Sequence, residues 1–286
     1  MRAEQIFREL QNLARAEGRL NGKPTPTAAY LIRHGLESFL ARLAQTDHAE
    51  DFILKGGILI GVYGVRRPTK DVDAEAVSAS VTAAHIEQIV NDVAAIEVDD
   101  GLDFDLDSVS VEEIRETADY PGLRMRVRAT LGTQQIAIAW DISTGDPIVP
   151  TPRKVRVVRV IGEPIEMLGY APETIIAEKG VTILERGTTS TRWRDYVDIA
   201  QLPEHHEIDQ GQLLESARAV ARYRRVVLRP IASVVAGYAA TGDMQAKWAA
   251  WRRKVGLEGI SEADLDDQMR RVAAVLDPVL SHGAPW

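Results

Sequence analysis

Apolar and charged residues interleave at helical spacing through MRAEQIFRELQNLARAEGRL, with Ile6, Leu10 and Leu13 on one side. That predicts an amphipathic helix, ended by the Gly, Asn and Pro of GRLNGKPTPT. A second helix is predicted from about Thr27 to Ala44, with Leu31, Leu36, Phe39 and Leu43 on its apolar side. DFILKGG reads as a short buried strand closing in a glycine turn, and ILIGVYGV, apolar all round, as a short buried helix. TKDVDAEAV follows as a strand and TAAHIEQIVNDVAA as a helix. In GLRMRVRATLGTQQIAIAWDIST two runs of period two flank Gly132-Thr133, which predicts a β-hairpin. Beyond Pro147, Pro150 and Pro152 one more strand, RKVRVVRVIG, leads into a half that is nearly all helical. The expected architecture is α+β and bilobed: an α/β lobe with a mixed sheet and flanking helices over 1–168, then a helical lobe over 169–286.

Composition narrows the classes. At 286 residues, 45% hydrophobic and 27% charged, the chain can bury a sizeable core and is not of disordered type. Its formal charge of −8 repels nucleic acid at long range, so an RNA partner would need a local basic patch. The absence of cysteine excludes disulfides, a thiol nucleophile and cysteine-based zinc sites. No run reaches the roughly 18 apolar residues of a membrane span, and the charged N-terminus is not a secretory leader, so no membrane partner and a cytoplasmic location are expected.

The chemistry concentrates in LKGGILIGVYGVRRPTKDVDAE, residues 54–75. In a strand Asp71 and Asp73 project on one side while Val72 faces the core. Two such carboxylates repel each other unless a proton or cation lies between them, and hard divalent cations favour oxygen ligands. A solvent-facing edge strand with two acids is the plainer alternative. Gly56 and Gly57, between strand and helix, either let backbone amides approach a phosphate or simply make a tight turn. Asp141 shares a hairpin face with Ala137 and Ala139, as a third carboxylate or as an acid at a strand end.

A hairpin turned at Gly132-Thr133 sets Asp141 opposite Arg124, Ala139 opposite Arg126 and Ala137 opposite Arg128. That arginine ladder is either an RNA contact or a solvated sheet face with a salt bridge. Further basic candidates for RNA are Arg222, Arg224, Arg225 and Arg229, followed by WRRK at 251–254. In PETIIAEKGVTILERG, Lys179 falls inside the apolar stripe of a helix, either snorkelling outward or aimed at phosphate. In RWRDYVDIAQL, Asp195 and Asp198 share a helix face with basic residues one turn earlier, an arrangement that local ion pairs also explain.

These elements, in order, resemble the AbiEii-type nucleotidyltransferase toxins, which include the MenT proteins, within the DNA-polymerase-β-like superfamily. The resemblance rests on F-I-L-K-G-G (52–57), Y-G-x-R-R-x-T-x-D-x-D (63–73), D-I-S-T-G-D-P (141–147), E-K-G (178–180) and R-D-Y-V-D (194–198). It implies a nucleotidyltransferase-like fold and an enzyme that takes a nucleoside triphosphate with Mg²⁺ at a two-ion site. The implied acceptor is the 3′ end of tRNA, whose modification blocks translation, and the implied partner is an AbiEi-like antitoxin. By the same resemblance Asp71, Asp73 and Asp141 would bind metal. Lys55, Gly56, Gly57, Arg66 and Thr69 would meet the nucleotide, Lys179 its phosphate, and Asp195 and Asp198 would complete the site. Gly57 stands where the superfamily usually has serine, a departure for which Thr69 is the candidate substitute. Two other functions stay open: transfer to a protein side chain, and an inert fold that only binds RNA or a partner.

Overall fold

The computed structural model describes residues 3–65, 67–77, 81–115, 121–187 and 191–281. Arg66, one of the expected nucleotide contacts, lies outside them. The chain divides into two compact units. The first takes the chain up to Leu59 together with Pro68–Gly145 and Lys154–Gly169; the second takes Ile60–Arg67, Asp146–Arg153 and the residues from Tyr170 onward. No helix of the described residues is long and apolar enough to cross a membrane.

The first unit is built on a seven-stranded mixed sheet. In chain order its strands are β1 (Phe52–Lys55), β2 (Val72–Ala76), β3 (Leu102–Arg115), β4 (Pro121–Leu131), β5 (Gln134–Thr144), β6 (Arg153–Val157) and β7 (Ile165–Gly169), arranged as β3-β4-β5-β2-β1-β7-β6. β1 runs antiparallel to β2, and β2 parallel to β5. The helices α1 (Ala3–Leu20), α2 (Thr27–Leu43) and α4 (Ala83–Ala95) belong to this unit, with α2 packed on β5 and α4 on β3. Between β1 and β2 lies α3 (Gly56–Val62).

Packing follows the apolar pattern. Ile136, Ile138, Trp140 and Ile142 of β5 are buried, whereas Ala137 is exposed and Ala139 and Asp141 are half-buried. One face of the sheet is therefore core and the other carries the polar row. Trp140 meets Phe39 at 5.4 Å and Phe52 at 4.6 Å between ring centroids. On α2, Leu36, Phe39, Leu40 and Leu43 are buried, each contributing about 1.5–3 kcal/mol. Gly35 brings that helix close, since a Cβ there would lie 2.8 Å from Ile136 Cγ2. Among the polar residues that α2 also buries is Arg42, whose guanidinium donates to both oxygens of Asp100 at 2.5 and 2.9 Å.

The hairpin turns where the sequence places it: Arg124 pairs with Asp141, Arg126 with Ala139 and Arg128 with Ala137. Two strands are not predicted by the pattern, β3 and β7. β3 carries a register shift between Asp105 and Ser110, which throws its apolar alternation out of phase. The glycine turn after β1 differs from expectation as well, because helix α3 already begins at Gly56.

The second unit is helical: α5 (Pro172–Arg186), α6 (Trp193–His205), α7 (Gln210–Arg224), α8 (Ile231–Val235), α9 (Met244–Val255) and α10 (Leu265–Leu280). Pro172 starts α5 at the position where a missing N–H costs nothing. α5 packs on α7, and α10 on α6. Trp193, Trp248 and Trp251 cluster, the latter two stacked at 5.2 Å.

Candidate active site

β2 places Asp73 and Glu75 on one side, with Val72 and Ala74 buried on the other, and Asp71 sits in the bend that immediately precedes the strand, not in the strand expected from the sequence. Strand pairing then builds a row across four strands: Lys55 of β1 beside Asp73 of β2, Asp73 beside Asp141 of β5, and Asp141 beside Arg124 of β4. The two bases at the ends of the row have partners. Lys55 Nζ reaches Glu75 Oε2 at 3.0 Å, and the fully buried Glu75 also accepts from Ser143 Oγ at 2.6 Å. Arg124 donates from Nε to Asp141 Oδ1 at 2.6 Å and from Nη2 to Asp141 Oδ2.

Asp71 and Asp73 have no such partner. Among the described residues no cationic side chain forms an ion pair with Asp71 or Asp73. Asp73 accepts a long contact, 3.4 Å, from the Gly57 N–H. Thr69 Oγ1 lies 3.3 Å from Asp71 Oδ1 and 3.2 Å from its carbonyl oxygen, so Thr69 orients Asp71. Burial first, then the negative charges of Asp71 and Asp141, push the Asp73 carboxyl up to about 7, against the pull of Lys55 and the Gly57 N–H. A carboxylate so placed holds either a proton or a cation at neutral pH.

Gly56 is required by this arrangement. Its φ is +66°, and a Cβ built there would sit 1.8 Å from Asp73 Oδ2. The glycine thus lets the backbone turn directly against the Asp73 carboxylate, a role distinct from the phosphate approach expected of it.

A divalent cation fits the donor chemistry of Asp71 and Asp73. Mg²⁺ commonly takes one or two carboxylates and completes its shell with water and substrate phosphate oxygens. Among the described residues no set of three His, Cys, Asp or Glu side chains converges as a ready-made metal cage. Asp141, expected as a third ligand, is engaged by Arg124. The rest of the arginine ladder is compensated too: Arg126 pairs with Glu112 at 2.8 Å and Arg128 with Asp105 at 2.8 Å.

In the second unit Lys179 neither snorkels nor stands open. Its Nζ contacts Asp195 Oδ1 and lies 3.1 Å from Asp198 Oδ2. Asp198, fully buried, also accepts a fork from Arg67 at 2.9 and 3.0 Å, and Asp195 accepts from Arg192 at 2.6 Å. Burial works against the charges, but Lys179 and Arg192 outweigh it and hold the Asp195 carboxyl at about 2. The same two carboxylates outweigh burial at Lys179 and keep its pKa above the ordinary lysine value. Arg222 and Arg225 are exposed at the end of α7, whereas Arg224 turns inward to Asp146, at 3.0 Å from Nε, and to Glu178 at 3.3 Å.

Two residues, Glu75 and Arg67, escape sequence reasoning, and Arg224, expected to meet RNA, is instead paired inward. Glu75 continues the period-two alternation of Asp71 and Asp73, a signal that was there to read. Arg67 finds Asp198 across 131 residues, and Arg224 finds Asp146 across 78, separations that no local pattern encodes.

The model of the family described as nucleotidyl transferase AbiEii toxin of type IV toxin–antitoxin systems matches residues 38–277. Among solved structures, JHP933 from Helicobacter pylori is similar at 16% identity with a TM-score of 0.51, over 88% of this chain and 92% of that one. A second Helicobacter pylori structure, provisionally assigned as a nucleotidyltransferase, aligns at 15% identity and a TM-score of 0.47, over 85% and 91% of the two chains. The first likeness bears on fold alone. A search of curated protein sequences returns no significant match.

Proposed function

The chain belongs to the AbiEii nucleotidyltransferase toxins, and from that premise we propose that Asp71 and Asp73 hold a divalent cation, Mg²⁺, through which a nucleoside triphosphate is bound for transfer to the 3′ end of tRNA. The observation that carries the reading is the pair of acids at the start of β2, Asp71 and Asp73, forming no ion pair among the described residues, with Asp73 beside a third acid, Asp141. Such a cluster is costly in an empty sheet and useful under a triphosphate, whose charge arrives with its cation.

In the reaction the acceptor's 3′-hydroxyl oxygen bonds to the α-phosphorus, the bond to the bridging oxygen breaks, and pyrophosphate leaves; the hydroxyl proton passes to solvent or a nearby carboxylate. A bound cation would supply Lewis-acid stabilisation of the phosphate charge and lower the pKa of the attacking hydroxyl. The protein's own part is positioning. Thr69 orients Asp71, Gly56 admits Asp73, and the Lys55–Glu75–Ser143 chain fixes the neighbouring end of the row.

Membership in a type IV toxin–antitoxin family supports a restraining antitoxin; the tRNA acceptor and the block to translation are part of the proposal, resting on the sequence resemblance, and the cytoplasm is the compartment consistent with them. RNA would be met by exposed cations such as Arg222 and Arg225, because the net charge of −8 opposes it elsewhere. The same net charge favours one second reading, transfer to a protein hydroxyl, which needs the same carboxylates. Each α-labelled nucleoside triphosphate, incubated with Mg²⁺, total tRNA and the protein, separates the two on a denaturing gel. Label in RNA supports the tRNA reading, label in protein alone supports the second, and no label in either contradicts both.

A further inference from the structure

Arg124 has a choice of acids. Glu112 lies directly opposite it on β3 and Asp141 directly opposite on β5. It takes Asp141 with two nitrogens, leaving Glu112 to Arg126 at 2.8 Å. Arg126 and Arg128 lean toward β3, so Arg124 differs from both its neighbours in the ladder. The acid it selects is the one beside Asp73 in the cross-strand row.

A carboxylate clasped at both oxygens by a planar guanidinium has its best lone pairs occupied, and the fork is among the stronger charge-assisted contacts. The guanidinium also brings a fixed positive charge to the edge of the acidic cluster, where it opposes a further cation. Its side chain is about one-third exposed, at 34%, so it is not locked in the core.

Resting on the reading that Asp71 and Asp73 hold a divalent cation, we propose that Arg124 is a positioning residue that takes the place of a second cation at Asp141, so that the free enzyme binds one divalent ion. Asp141 is then a tether for the guanidinium and not a metal ligand in the nucleotide-free protein. The second ion of the superfamily scheme would have to arrive with the triphosphate or do without Asp141.

The test is to count Mn²⁺ bound to the full chain without nucleotide, by electron paramagnetic resonance of the free ion and by calorimetry. Wild type should bind one ion, Arg124→Gln two, and Arg124→Gln combined with Asp141→Asn one again. Arg124→Lys, which keeps the charge, should stay at one. Asp141→Asn alone should change the affinity of the first ion by less than about tenfold, the smallest loss usual when a group supporting a metal site is removed. One ion in both wild type and Arg124→Gln, or two in wild type, overturns the assignment to Arg124. Zero ions in every protein overturns it as well, but by removing the site at Asp71 and Asp73 itself. Thermal melts of each variant confirm that the counts are made on folded protein.

Discussion

Replacing Asp73 by Asn removes a charge that the metal-free fold is forced to carry. The carboxyl is raised from an ordinary 3.8 to about 7 by burial and by Asp71 and Asp141. For an acid shifted upward, the folded state holds its proton more tightly than the unfolded state. The penalty is absent below the unfolded value, grows as pH rises from about 4 toward 7, and is constant above. A shift of that size corresponds to about 4 kcal/mol at full development, of which about 2–3 kcal/mol accrues between pH 5 and pH 8. These are upper figures, since water reaches part of the side chain.

Urea unfolding of wild type and Asp73→Asn in chelator, from pH 5 to pH 8, reads the difference directly, because groups common to both proteins cancel. The advantage of Asp73→Asn should widen with pH by up to that amount. Mg²⁺ should narrow it at pH 8 by stabilising wild type alone, and should act weakly at pH 5, where protons compete for the site. A difference that stays flat with pH, or Mg²⁺ stabilisation equal in both proteins, would mean that Asp73 neither carries a raised pKa nor holds the cation.

Other outcomes follow from single contacts. Gly56→Ala places a Cβ 1.8 Å from Asp73 Oδ2 at a φ of +66°; it should cost about 1–2 kcal/mol in backbone strain and should lower nucleotide affinity by moving the carboxylate, measured by melting and by titration with triphosphate. Lys179→Ala leaves Asp195 and Asp198 buried with less compensation and should destabilise the chain by about 3–5 kcal/mol in chemical unfolding. A Lys179→Ala protein with an unchanged midpoint would remove the structural role. With its carboxyl held at about 2, Asp195 contributes stability above pH 4 that is lost as pH falls through 2, so Asp195→Asn should flatten the acid limb of the stability profile.

What the sequence reveals of this molecule depends on how local the determining contact is. The β4–β5 register was readable to the residue because Gly132-Thr133 sets the turn and the apolar residues of β5 fix the face. Asp71 and Asp73 stood out because two acids on one strand face need a reason. β3 was hidden by its bulge and its acids. Lys179 reads as an anomaly in an apolar stripe, yet its partners lie 16 and 19 positions onward in another helix, so only tertiary structure shows it to be paired. Arg124 was visible as a cross-strand neighbour of Asp141. Its preference for that acid over Glu112 was not, since both stand opposite it.

The role of Asp71 and Asp73 is tested by a single-turnover transfer assay, with Mg²⁺, total tRNA and the preferred α-labelled nucleoside triphosphate, on wild type, Asp71→Ala and Asp73→Ala confirmed as folded. Wild type should place label at the RNA 3′ end, and either variant should lose at least about a hundredfold in rate, as expected when charge stabilisation at a phosphoryl centre is removed. Transfer by Asp71→Ala or Asp73→Ala at a rate close to wild type would contradict that role.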